Sequence, residues 1–139
     1  GGLRATQRLS TLCRTFDLGL SMHSNSHLGI SLVRAEGGQV HLRMPVRAEL
    51  RNLSGKLHGG ALMALADTAM GLACFERFGA DEPCVTVEAK LNFIRAVDDG
   101  EVDCHAHILH SGRRTLVLEA EIRQGDKLIL KTLATFARL

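Results

Sequence analysis

The sequence predicts an α+β fold in which one curved antiparallel sheet wraps around one long central helix. Two observations carry this. From Gly59 to Phe75 the chain reads GGALMALADTAMGLACF, where every residue except Asp67 and Thr68 is small or apolar, as in a helix built to be buried. The pattern then switches to period two, in four strand-like runs joined by short turns, which implies antiparallel neighbours. A lone apolar helix has to be covered, and only that sheet is available to cover it.

Taken in order, Leu9, Leu12, Cys13 and Phe16 recur at helical spacing and predict a short amphipathic helix within residues 1–20. Ser21 to His27 is polar and turn-like. Leu28 to Val33 and Gln39 to Met44 read as strands, joined by a turn at Ala35-Glu36-Gly37-Gly38. Pro45 closes the second strand, and a loop through Asn52 and Ser54 leads to the central helix, predicted over 58–77. Next, Val85, Val87, Ala89, Leu91 and Phe93 alternate with Thr86, Glu88, Lys90 and Asn92, the signature of a half-buried strand. Turns at Asp98-Asp99-Gly100, Ser111-Gly112 and Gln124-Gly125-Asp126 lead into Val102 to Leu109, Thr115 to Ile122 and Leu128 to Phe136. These runs predict a four-strand meander over 84–137. With no repeat or linker, the 139 residues are expected to form one domain, 1–139.

Composition narrows the function. A hydrophobic content of 45% and a charged content of 23% belong to an ordinary globular protein. The net charge of +2, with 17 Lys and Arg spread along the chain, argues against nucleic acid. Five Phe without Tyr or Trp supply no base-stacking platform. Cys13, Cys74, Cys84 and Cys104 form no CxxC pair and read as reduced residues of a cytoplasmic protein. The longest apolar stretch is short for a bilayer span and is broken by Asp67, so no membrane helix is expected, nor a secretory leader.

The functional clue is the central helix itself. Asp67 is its one carboxylate before Glu76, and an acid on a buried helix is costly unless paired, hydrogen-bonded or used. Gly59 and Gly60 open the helix and leave N–H groups where the helix dipole favours negative charge. An anion-stabilising helix start and an isolated acid are two halves of an acyl-transfer site. Gly60 and Asp67 share a face but are separated by seven residues, roughly 10 Å along the axis. That is too far for both to act on one small group. Two antiparallel helices about a twofold axis would bring Asp67 of one chain to the Gly59 N–H of the other. An obligate dimer with two interface sites is therefore expected.

Asn52-x-x-Gly55-x-x-His58-Gly59-Gly60, followed by Leu65-Ala66-Asp67-Thr68-Ala69, an upstream His27-Leu28-Gly29-Ile30 and the strand-rich tail, resembles the hotdog-fold acyl-CoA thioesterases. The similarity lies with the phenylacetyl-CoA and 4-hydroxybenzoyl-CoA thioesterase group, and an Asp at 67 fits the phenylacetyl-like branch. The resemblance implies a hotdog fold, dimers that join two sheets, and often tetramers of those dimers. It implies that Asp67 serves as nucleophile or general base and that the Gly59 N–H holds the thioester carbonyl. Asn52 and Thr86 would orient the acid or the attacking water. Coenzyme A enters as part of the substrate, and no cofactor is implied.

Each candidate also has a plainer reading. Asn52 suits a turn, and Thr86 suits any strand. His58 fits a loop-setting role better than that of a general base. Gly60 is counted with the substrate-binding residues. Arg113 and Arg114, in a turn between strands, either face solvent or clamp the coenzyme A phosphates. His105 and His107 share a strand face but lack a third ligand, so a solvated face is preferred to a metal site. The competing functions are a non-catalytic acyl-CoA binder and an enoyl-CoA hydratase-type enzyme. The latter is disfavoured because the nearest His after Asp67 is His105.

Overall fold

A computed structural model describes residues 28–139. The predicted helix within 1–20 and the start of the motif at His27 lie outside the described residues. Six strands form one antiparallel sheet: β1 (Ser31–Glu36), β2 (Gln39–Pro45), β3 (Cys84–Phe93), β4 (Glu101–Ser111), β5 (Thr115–Gln124) and β6 (Lys127–Arg138). One long helix, α1 (Gly59–Phe78), lies against it.

The β1–β2 hairpin turns on Gly37 and Gly38, with φ of 60° and 77°. That left-handed pair matches the strand twist, and only glycine adopts it freely. In α1, Leu62, Leu65, Ala66, Ala69, Met70 and Ala73 are buried at three- and four-residue spacing. They meet the inward faces of β2, β4 and β5, where Leu42, Met44, Cys104, Leu118 and Ile122 are fully buried. Burial pushes the Cys104 thiol up to about 12. Burial, followed by the neighbouring Cys84, does the same to Cys74. All three described cysteines are free. Among the described residues no helix is long and apolar enough to cross a membrane.

The four-strand meander is corrected. The sheet order is β1-β2-β4-β5-β6-β3, so β4, β5 and β6 are sequential neighbours while β3 lies beyond β6 at the edge. The link after β3 is a crossing rather than a hairpin. Ile94 N–H donates to Ile129 O, Leu57 N–H to Val97 O and Val46 N–H to Gly100 O, and Val97 within the crossing is buried. Alternation reports which face of a strand is covered, not which strand lies next to it.

The half-buried character expected for β3 is also corrected. Val85, Val87 and Phe93 are 43%, 59% and 52% exposed. An edge strand this apolar, with one row of backbone groups unpaired, is a ready surface for pairing with another strand.

Candidate active site

The loop before α1 is held rigidly by its own polar groups. Asn52 Oδ1 accepts from the N–H groups of Ser54 (3.0 Å) and Lys56 (3.1 Å). Arg51 Nη1 donates to Gly55 O at 2.6 Å and also to Asp98 O. Lys56 pairs with Asp98, whose carboxyl it holds below the usual carboxylate range. The side-chain oxygen of Asn52 is thus used to shape the loop, and among the described residues Asn52 makes no hydrogen bond to Asp67.

His58 caps the helix. Its Nδ1 accepts the Gly60 N–H at 2.7 Å, which leaves the proton of the neutral ring on Nε2. A Cβ on Gly60 would lie 3.0 Å from that Nδ1, so glycine there makes room for the imidazole. The Gly60 N–H is thus donated to the His58 ring within the helix cap. The Gly59 N–H has no partner among the described residues. A Cβ on Gly59 would sit 3.3 Å from the Phe93 ring, so the strand end flanks the open donor.

Asp67 is exposed in the single chain, not buried. The sheet covers the face of α1 that carries Leu65, Ala66 and Ala69, whereas Asp67 lies on the exposed flank with Met63, beside the edge strand. Among the described residues the buried acid is Glu76, whose Oε2 accepts the Gly38 N–H of the β1–β2 turn. It lies one residue beyond the apolar stretch in which Asp67 stood out.

Thr86 Oγ1 donates to Asp67 Oδ1 at 2.6 Å. A bulge makes this contact possible. On β6, Phe136 faces Thr86 and Thr135 faces Glu88, so Val87 is an extra residue in β3. Strict alternation would turn Thr86 away from Ala89 and Leu91. The inserted residue reverses the parity and puts all three on the wall of one groove, about 420 Å³, between α1 and β3. The other wall carries Met63, Ala64 and Met70, and among the described residues Asp67 and Thr86 are the polar side chains that line it. The Val87 bulge, Phe93 and the two methionines escape a reading by motif. The signal for the bulge was present in the conflict between Thr86 as a site residue and its place among the outward-facing polar positions.

Arg113 and Arg114 are exposed in the β4–β5 turn. Arg138, which donates N–H to Arg114 O at 2.8 Å, stacks over Phe78, the last residue of α1. The two arginines thus lie at the helix end opposite Gly59 within one chain. On the outer sheet face His41 stacks on His105 at 4.1 Å, and His107 Nε2 is 3.1 Å from Glu119. Among the described residues no three His, Cys, Asp or Glu side chains gather as a metal site.

Residues 54–130 match the family model described as the thioesterase superfamily. A conserved protein of Pseudomonas aeruginosa, PA5202, is 52% identical in its solved structure, with a TM-score of 0.81 over 83% of this chain and 92% of that one. A point mutant of the phenylacetic acid degradation protein PaaI from Thermus thermophilus is 30% identical, with a TM-score of 0.76 over 82% and 96%. The proofreading thioesterase EntH of Klebsiella pneumoniae is 36% identical over 65% of this chain and 66% of its own length. Some curated relatives extend well beyond the match: this chain spans 65% of one and 7% of another.

Proposed function

The chain belongs to the thioesterase superfamily, and from that premise we propose that it hydrolyses an acyl- or aroyl-CoA thioester to the free acid and coenzyme A. The hotdog fold, a sheet around one helix, is the family scaffold. The observation that carries the reading is the Thr86–Asp67 hydrogen bond of 2.6 Å at the wall of an apolar groove. The Asp67 carboxylate attacks the thioester carbonyl carbon or takes the proton of a water that does so, while Thr86 fixes its orientation. The unpartnered Gly59 N–H, at the positive end of α1, receives the developing oxyanion. His58 and Asn52 contribute indirectly by holding the helix start in place.

Gly59 and Asp67 are eight residues apart, about 12 Å along α1, so the donor and the acid serving one thioester come from two copies of the chain. The exposed apolar edge of β3, with Met63 beside it, supports a homodimer joined there, and a tetramer would pair two such dimers. Arg113 and Arg114 are proposed to hold the coenzyme A phosphates at the rim. Free cysteines support a cytoplasmic location.

The test is thiol release from a panel of acyl-CoA thioesters, with a no-substrate control for the protein's own cysteines. Activity that Asp67→Asn removes supports the reading, and equal turnover in that variant refutes it. A fully active monomer in analytical ultracentrifugation would refute the shared site.

A further inference from the structure

We propose that Cys74 and Cys84 form a redox-active dithiol, which a hydroperoxide closes to a disulfide and a dithiol reductant reopens. Closing it lowers turnover at the neighbouring Asp67. The dithiol stands on its own geometry, and its effect on turnover rests on the thioesterase reading above.

Two side-chain contacts join α1 to β3. Asp67 meets Thr86, and two helical turns further on the Cys74 thiol is hydrogen-bonded to that of Cys84. Residues seven apart share a helix face, and residues two apart share a strand face. The faces that carry the acid and its orienting hydroxyl therefore carry the thiols as well. Both cysteines are free. Cys74 is buried, while Cys84 is partly exposed and lines a cleft of about 260 Å³ with Gly71, Phe75, Gly79 and Pro83. None of these residues lines the groove at Asp67. Strand pairing along the β3 edge would use its backbone groups, not the inner face that carries Cys84.

The two thiols differ in a way that orders the chemistry. Burial, followed by Cys84, keeps Cys74 protonated, its pKa pushed up to about 12, so the more open Cys84 reacts first. Its S–H donates to Glu82 O at 3.7 Å. Once that proton is lost, the Cys74 S–H remains to donate to the Cys84 sulfur. The Cys84 thiolate attacks the hydroperoxide: an S–O bond forms, the O–O bond breaks, and the departing oxygen takes up a proton. The Cys74 sulfur then attacks the Cys84 sulfenic acid. The S–S bond forms, the S–O bond breaks, and the Cys74 proton leaves with the hydroxyl as water. The pair gives up two electrons, and the hydroperoxide is reduced to water and an alcohol, or to two waters if it is hydrogen peroxide. Bonded sulfurs lie closer than thiols in contact, so closure draws the first residues of β3 against α1. Thr86 follows two residues later, and its hydrogen bond to Asp67 is the contact displaced.

In the experiment, reduced protein is treated with hydrogen peroxide, blocked with N-ethylmaleimide and read by intact mass and peptide mapping. The expected product is one link within the chain between the Cys74 and Cys84 peptides, lighter by two hydrogens and undone by dithiothreitol. In Cys74→Ala, dimedone should trap Cys84 as its sulfenic acid. In Cys84→Ser, Cys74 should stay reduced. Phenylacetyl-CoA hydrolysis, followed as loss of the thioester, should slow roughly tenfold or more on closure and recover with dithiothreitol. Turnover in Cys84→Ser should be indifferent to peroxide. Cys84 overoxidised without a link, or linked to Cys13 or to another chain, would overturn the dithiol. A closed link with unchanged turnover would overturn its effect on the site. A link formed in a protein that turns over no thioester would support the dithiol and overturn the hydrolase reading.

Discussion

Thr86 reaches Asp67, at 2.6 Å, because β3 carries one residue more than its partner strand. The extra residue, Val87, is not at the site. It acts by reversing the side-chain parity of everything before it, so that a polar-face threonine joins the row formed by Ala89 and Leu91. The acid and its orienting hydroxyl thus come from the helix and the edge strand, 19 residues apart in the chain.

Removing the hydroxyl should expose this coupling. Thr86→Val keeps the β-branched shape and loses a hydrogen bond to a carboxylate, worth ~1.5–3 kcal/mol. Steady-state kinetics should show kcat lowered roughly 10–100-fold with little change in KM. Thr86→Ser should recover much of the loss. An unchanged kcat in Thr86→Val would mean the contact is only structural.

The helix cap gives a second prediction. In Gly60→Ala the new Cβ would lie 3.0 Å from His58 Nδ1 and 3.2 Å from Cε1, so the ring must swing away and the cap is lost. Denaturant unfolding should show about 1 kcal/mol less stability, together with reduced turnover as the Gly59 N–H drifts from its place. Wild-type stability and activity in Gly60→Ala would show that His58 does not set the helix start.

Among the described residues Glu76 is the buried acid, and its bond to Gly38 N–H ties α1 to the β1–β2 turn. Glu76→Ala leaves that N–H unpaired and should cost about 1–3 kcal/mol in denaturant unfolding at fixed protein concentration. Glu76→Gln keeps an acceptor and should cost clearly less. Equal losses in the two variants would point to packing rather than the hydrogen bond.

Stability should fall on acidification through the outer sheet face. Burial, and then the stacked His41, lowers the His105 pKa, against the opposing pull of Asp103 and Glu121. A histidine whose folded pKa is depressed is protonated more readily unfolded. Its contribution is present above about 6.5 and is lost as pH falls through the lower folded value. Burial raises the Asp103 carboxyl, but hydrogen bonds from His41 and Arg43 outweigh it and hold the pKa low. That contribution is lost only in more acidic solution, as pH falls through the folded pKa below 3.8. His105→Gln should therefore flatten the loss of stability just below neutrality and leave the acidic limb. An unchanged profile would remove His105 as its source.

Local patterning determined much of this protein. The apolar run made α1 legible, period two made the strands legible, and Gly37-Gly38 and the other turn residues marked the breaks, because helix and strand periodicity are written in neighbouring residues. The glycine start of the helix and Asp67 marked the candidate site in the same way, whereas Thr86 entered only through the family resemblance. Only the tertiary structure decided that β3 sits beside β6, that Asp67 stands open while Glu76 is buried, and that the Gly60 N–H belongs to His58. Strand order is set by long-range pairing that alternation does not encode. A helix residue's exposure depends on where the covering sheet ends. The one-residue bulge at Val87 is a register difference between two strands and exists only once both are paired.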